Sequence, residues 1–174
     1  MINNKLWKDD LIKTIKDLSL WSKKKYKRYM PKAEHIINRS FLYSAIIIRK
    51  AIEDDKDAKP YFDEHGLAEQ MLRILYYNVP VITYDYLPEN EFVNKKCYPD
   101  YYDMENAEEM QLPLNQICNQ ILHSYKWAVL YESDFKGIDG VLFASDKYKE
   151  KYVFLLKTDD WINAIKFVID NFSF

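Results

Sequence analysis

Apolar side chains recur at helical spacing along much of the chain. Trp7, Leu11, Ile15 and Leu18 lie three and four positions apart, the period of one apolar helix face, and predict a helix from about residue 5 to 28. Tyr29, Met30 and Pro31 punctuate it. Pro31 suits the first turn of a second helix, because the amide donor it lacks would be unpaired there anyway. This second helix is expected at about 32–53. Its Phe41, Leu42, Ala45, Ile46, Ile47, Ile48, Ala51 and Ile52 wrap most of the circumference, the pattern of a central, buried helix. Another strong helix is predicted at about 112–131, with Leu114, Ile117, Cys118, Ile121, Leu122, Tyr125, Ala128 and Val129 on one arc. Thr158, Asp159 and Asp160 offer an N-cap to a closing helix that carries Trp161, Ile162, Ile165, Phe167, Val168 and Ile169.

The middle of the chain is less regular. Four of the six prolines and eight of the fifteen tyrosines fall between Asp54 and Met110. A helix at 67–77 and a short strand at 79–86 are expected there, followed by an acidic loop at 87–109. Further on, Lys136-Gly137-Ile138-Asp139-Gly140 leads into Val141-Leu142-Phe143-Ala144. A polar turn, 145–150, separates this from Lys151-Tyr152-Val153-Phe154-Leu155-Leu156, and the two runs predict a β-hairpin. The expected fold is therefore α+β and mainly α: a helical bundle over about 5–131, with a small β-hairpin and a C-terminal helix over 138–172.

Composition narrows the class. A chain of 174 residues with 48% hydrophobic content supports one domain, 1–174, with a real core. The formal charge of −2, from 25 basic and 27 acidic residues, provides no global field to attract nucleic acid or an anionic membrane, so a polyanion site has to be local. No apolar run reaches the roughly 18 residues of a membrane span, and a cytoplasmic protein without membrane contact is expected. Cys97 and Cys118 lack CxxC spacing and are expected as free thiols. Three glycines leave little room for a phosphate-cradling loop, and no dinucleotide or P-loop motif occurs. His35, His65 and His123 lack the HxxxH or HExxH spacing that puts two ligands on one helix face, so neither a metal nor a cofactor is expected.

Candidate chemistry concentrates near residue 120. On the helix predicted there, Asn115, Asn119 and His123 form a polar strip beside the apolar arc, each one turn from the next. Asn119 and His123 can grip a common group, or can simply satisfy each other at a helix boundary. Arg49 on the second helix is a candidate cation for this site, with Arg39 and Asn38 as further members of a network. The plainer alternative pairs Arg49 with Glu53 one turn on. The basic block Lys23, Lys24, Lys25, Tyr26, Lys27 and Arg28 could hold a phosphate backbone and stack a base, or could be a solvated helix end. Tyr98, Tyr101 and Tyr102 are candidates for a protein-contact surface.

Cys118-Asn119-Gln120-Ile121-Leu122-His123 resembles the ribonuclease motif of HEPN domains, Arg-Asn-x-x-x-His, with Cys118 in place of the arginine. The stretch from Phe41 to Glu53 is similar to the first long helices of such domains. The resemblance implies a helical homodimer with paired histidines, metal-independent RNA cleavage through the ribose 2′-hydroxyl, and a setting in toxin–antitoxin or phage-defence conflict. A thiol cannot supply the cationic fork that stabilises phosphorane charge. The resulting expectation is a non-catalytic, HEPN-like module that binds an RNA or protein partner. The alternative is an active metal-independent endoribonuclease, with His123 as general acid/base, Asn119 as positioner and Arg49 or Arg39 as displaced cation.

Overall fold

Two long helices open the chain, as the apolar spacing requires: α1 (Asn4–Trp21) and α2 (Met30–Phe62). The computed structural model describes residues 4–24, 29–62, 73–88, 98–133 and 136–172. Leu11 and Leu18 of α1 pack with Ala33, Ile37, Phe41, Ala45 and Ile48 of α2, all fully buried. The outer face of α2 stays open, since Leu42, Tyr43 and Ile46 are 38%, 44% and 50% exposed. The expectation of a helix buried all round is thus corrected: the helix has an inner face and a solvent face.

The rest of the chain is dominated by strands: β1 (Asn78–Tyr86), β2 (Tyr102–Pro113), β3 (Ser124–Tyr131), β4 (Ile138–Ser145) and β5 (Tyr152–Lys157). A 3₁₀ turn (Tyr98–Tyr101) precedes β2, α3 (Leu114–Leu122) separates β2 from β3, and α4 (Thr158–Asn171) closes the chain. All pairings are antiparallel, and the strand order is β2-β1-β5-β4-β3. One face carries Val79, Val81, Val141, Phe143, Phe154 and Leu156 against the helices, in a core shared with Phe41, Ile117, Ile121 and Trp161. An aromatic row crosses three strands on this face: Trp127 stands opposite Phe143 and Phe143 opposite Phe154, with ring centroids 5.8 and 5.7 Å apart. The other face gathers Tyr84, Tyr102, Leu142, Ala144, Val153 and Leu155 into a second, smaller cluster. β4 is buried on both faces, which is why it reads as an unbroken apolar run.

This architecture overturns the expected helical bundle. The hairpin at 141–156 exists, but its strands lie inside a five-stranded sheet, between β1 and β3. The helix predicted to 131 ends at Leu122. Residues 124–131 are β3, whose Trp127, Val129 and Tyr131 prefer a pleated, half-buried surface and find β4 as a hydrogen-bonding partner. The loop expected at 87–109 contains β2. As an edge strand β2 is polar and exposed over Glu105–Glu109, so it shows no hydrophobic alternation, and its charges blunt an open edge. A sheet-based α+β fold also removes the resemblance to HEPN domains, which are helical bundles. The closing helix starts as expected, but Lys157 occupies its N-cap and no side chain caps it. Gly140 lies in β4, where a Cβ would come 2.3 Å from the Leu156 carbonyl oxygen. Most of the helix predicted at 67–77 lies outside the described residues. No helix among the described residues is long and apolar enough to cross a membrane.

Candidate functional site

α3 is short because the chain turns at His123. The His123 amide donates to the Asn119 carbonyl at 3.0 Å, and the Ser124 hydroxyl donates to the Ile121 carbonyl at 2.8 Å. These two bonds satisfy carbonyls that the helix end would leave unpaired. His123 is the C-terminal flanking residue, with φ −104° and ψ 19°, and its side chain is exposed. Asn119, one turn earlier, is exposed as well.

α2 runs alongside and delivers Arg49. Its Nη1 lies 3.5 Å from His123 Nε2, while its Nε donates to Glu53 Oε1 at 2.8 Å. Arg49 thus has Glu53 at its Nε and His123 beside its Nη1. The pair with Glu53 is half-exposed, 37% and 45%, so its value lies in orientation more than in stability. Asn115, one turn before Asn119 on α3, has its Oδ1 buried without a hydrogen-bond partner. Arg39 turns to α1, where its Nη2 meets Asp17 Oδ2 at 3.2 Å, and Asn38 accepts a hydrogen bond from Trp127 Nε1 at 2.7 Å.

Cys118 faces away from this surface and is fully buried. Burial pushes its thiol well above the ordinary range, although the charge of Arg49 pulls the other way. The thiol is an inert core group.

The described part of the basic block, Lys23 and Lys24, follows the end of α1, away from this site. Ser22 accepts a hydrogen bond from the Ile138 amide at 2.7 Å, which ties the end of α1 to the far end of the β3–β4 pair, a strand length or about 20 Å from Ser124. Lys23 beyond it is exposed, and Lys24 Nζ sits 5.6 Å from the Trp21 ring centre. Lys25, Tyr26, Lys27 and Arg28 lie outside the described residues, as do Cys97 and His65. No group of three or more potential metal ligands occurs among the described residues.

One feature, reached two positions after His123 in the chain, is hidden by the helix expected at 112–131. Tyr125 and Lys126, at the start of β3, border a cleft of about 420 Å³ with Tyr86, Tyr101, Tyr102 and Lys149. The adjacent pairs Tyr125-Lys126 and Tyr148-Lys149 are the sequence trace of it, and without the strand assignment nothing joins them. No family model, no curated protein and no solved structure matches the chain.

Proposed function

We propose that this protein is a non-catalytic binding module for single-stranded RNA, working in the cytoplasm, which seats a phosphodiester between Arg49 and His123 with Asn119 beside them. The observation that carries the reading is the 3.5 Å approach of Arg49 Nη1 to His123 Nε2 on an exposed surface. A guanidinium offers paired donors that match two phosphate oxygens, and an imidazole N–H adds a further donor. Holding Nε with Glu53 costs the site little, because the remaining guanidinium N–H groups stay available to a ligand. RNA is favoured over duplex DNA because its loops and ends present single strands with unstacked bases.

The same pair favours one second reading, metal-independent cleavage. An unprotonated Nε2 can accept the ribose 2′-hydroxyl proton as O2′ attacks phosphorus. The imidazolium can then return a proton to the departing 5′ oxygen, with Arg49 stabilising the phosphorane.

The experiment is fluorescence anisotropy of a labelled twelve-nucleotide RNA across a salt series in EDTA, with the RNA's integrity followed on a gel. Wild type should bind and leave the RNA intact. Arg49→Gln should bind about ten-fold more weakly and reduce the slope of log K against log salt by about one. Cleavage by wild type but not by His123→Ala would establish the second reading instead, and no binding at any salt would remove both.

A further inference from the structure

The cleft bordered by Tyr125 has an aromatic floor, with Lys126, Lys149 and Glu150 at its rim. Its rings come from elements far apart in sequence: Tyr86 from the end of β1, Tyr101 from the 3₁₀ turn, Tyr102 from β2 and Tyr125 from β3. The fold holds these parts together. The Tyr102 hydroxyl donates to the Lys149 carbonyl at 2.7 Å, the Leu87 amide donates to the Tyr101 carbonyl at 2.8 Å, and Tyr86 meets Tyr102 edge-on at 5.8 Å.

Both lysines of the rim rest over tyrosine rings. Lys126 Nζ is 5.1 Å from the Tyr101 ring centre and 5.8 Å from that of Tyr125, and Lys149 Nζ is 4.2 Å from the Tyr125 ring. Lys149 also pairs with Asp146 at 2.7 Å. Cation–π contacts of half-exposed lysines are weak, so a ligand can exchange them. Glu150 completes the lining, so that with Asp146 two carboxylates accompany the two cations. A bare anion is therefore a poor fit. A ligand with an aromatic face, a hydrogen-bond donor for Glu150 and a phosphate for the lysines fits all three.

We infer that this cleft is a nucleotide subsite that stacks one unpaired, amino-bearing base of a bound RNA on Tyr101 and Tyr125 while Lys126 and Lys149 turn to its phosphate. This rests on the RNA reading above and adds the base to it. Tyr125 follows His123 by two positions, so their Cα atoms are at most about 7 Å apart, within the reach of one nucleotide. The cleft opens on the sheet face opposite α2, so an RNA that fills both places crosses the β3 edge at Ser124. Base–aromatic stacking is tolerant of sequence and supplies the affinity that a net charge of −2 does not.

Labelled oligoadenylate of eight nucleotides and an abasic ribose-phosphate chain of equal length would be titrated against wild type, Tyr125→Ala, Tyr101→Ala and Arg49→Gln. AMP binding to wild type and Tyr125→Ala would be followed by calorimetry. Tyr125 is 64% exposed, so its replacement should leave the melting temperature unchanged. Wild type is expected to prefer oligoadenylate over the abasic chain by at least about ten-fold. Each tyrosine variant should weaken oligoadenylate binding by about five- to a hundred-fold, with the salt slope and the abasic affinity preserved. Equal affinity for the two chains, with only Arg49→Gln defective, would overturn the subsite and leave the phosphate seat standing. If wild type bound neither chain but bound AMP in a Tyr125-dependent way, the RNA reading would fall and the cleft would remain a nucleotide site; AMP failing too would overturn both.

Discussion

Arg49 and His123 stand 74 positions apart in the chain and meet with Nη1 3.5 Å from Nε2. A guanidinium only donates, so a neutral His123 must present Nε2 as acceptor and carry its proton on Nδ1. Long-range ¹⁵N correlation spectra of the imidazole should therefore show a bare Nε2 and a protonated Nδ1 in the neutral ring. Arg49→Ala should remove the bias. Finding Nε2 protonated in neutral wild-type protein would mean that the two side chains are neighbours without being partners.

Cys118 sits one position before Asn119 but on the core side of α3, packed with Ile117 and Ile121. A buried thiol whose ionisation is opposed by desolvation should be chemically silent. In a Cys97→Ser background, a thiol reagent is expected to label Cys118 only at the rate of unfolding. Labelling at the rate of a free thiol in folded protein would place Cys118 at the surface and undo this account of α3. Cys118→Arg, which would put the cation inside the core, should prevent folding, because an unpaired buried charge costs several kcal/mol.

The proximity of two candidate residues was easier to read from the sequence than the scaffold that holds them. Arg49, Asn119 and His123 could be singled out because polar groups at helical spacing interrupt an apolar pattern, and the structure brings Arg49 to His123. The sheet was not legible, for two local reasons. Residues 124–131 satisfy a helical arc and a half-buried strand equally well, and only the partner strand β4, which follows in the chain, decides between them. β2 escaped because its middle, 105–109, is exposed on both faces, and edge pairing is a tertiary fact. The tyrosine–lysine cleft was invisible for the same cause, since its walls exist only once β1, β2, β3 and the β4–β5 turn share one sheet.

Trp161 is fully buried and stacked on Phe41, with centroids 5.9 Å apart and planes at 12°. Its Nε1 donates to the Ser44 hydroxyl at 2.9 Å, and that hydroxyl donates to the Ser40 carbonyl at 2.6 Å. Ser44→Ala leaves the indole N–H buried and unpaired and should cost about 1–3 kcal/mol. At about 2–4 °C per kcal/mol for a chain of this size, the loss is visible in a thermal melt. In the double variant Ser44→Ala with Trp161→Phe, no orphaned donor remains. Its cost should be less than the sum of the two single variants, and strict additivity would rule the hydrogen bond out as a stabilising contact.

Tyr131 ties β3 to α2 through a short hydrogen bond from its hydroxyl to Glu34. Burial, the hydrogen bond to Glu34 and the carboxylate charge together hold its ionisation well above the ordinary tyrosine value. A proton kept more tightly in the folded state favours folding while both states are protonated. The advantage is lost as pH rises past the unfolded tyrosine's value of about 10, where only the unfolded chain ionises easily. Tyr131→Phe should therefore be less stable than wild type by about 1 kcal/mol between pH 7 and 9, the ordinary worth of the lost bond. The gap should narrow from about pH 10 upward as wild type alone pays the ionisation cost. Tyr43, Tyr84 and Tyr152 are shifted in the same direction, so both proteins lose stability at alkaline pH, and the difference between them isolates Tyr131. Chemical denaturation of both proteins at intervals from pH 7 to 11.5 measures it. A gap that stayed constant across that range would show that the Tyr131 hydroxyl carries no proton-linked stability and that Glu34 is not its partner in solution.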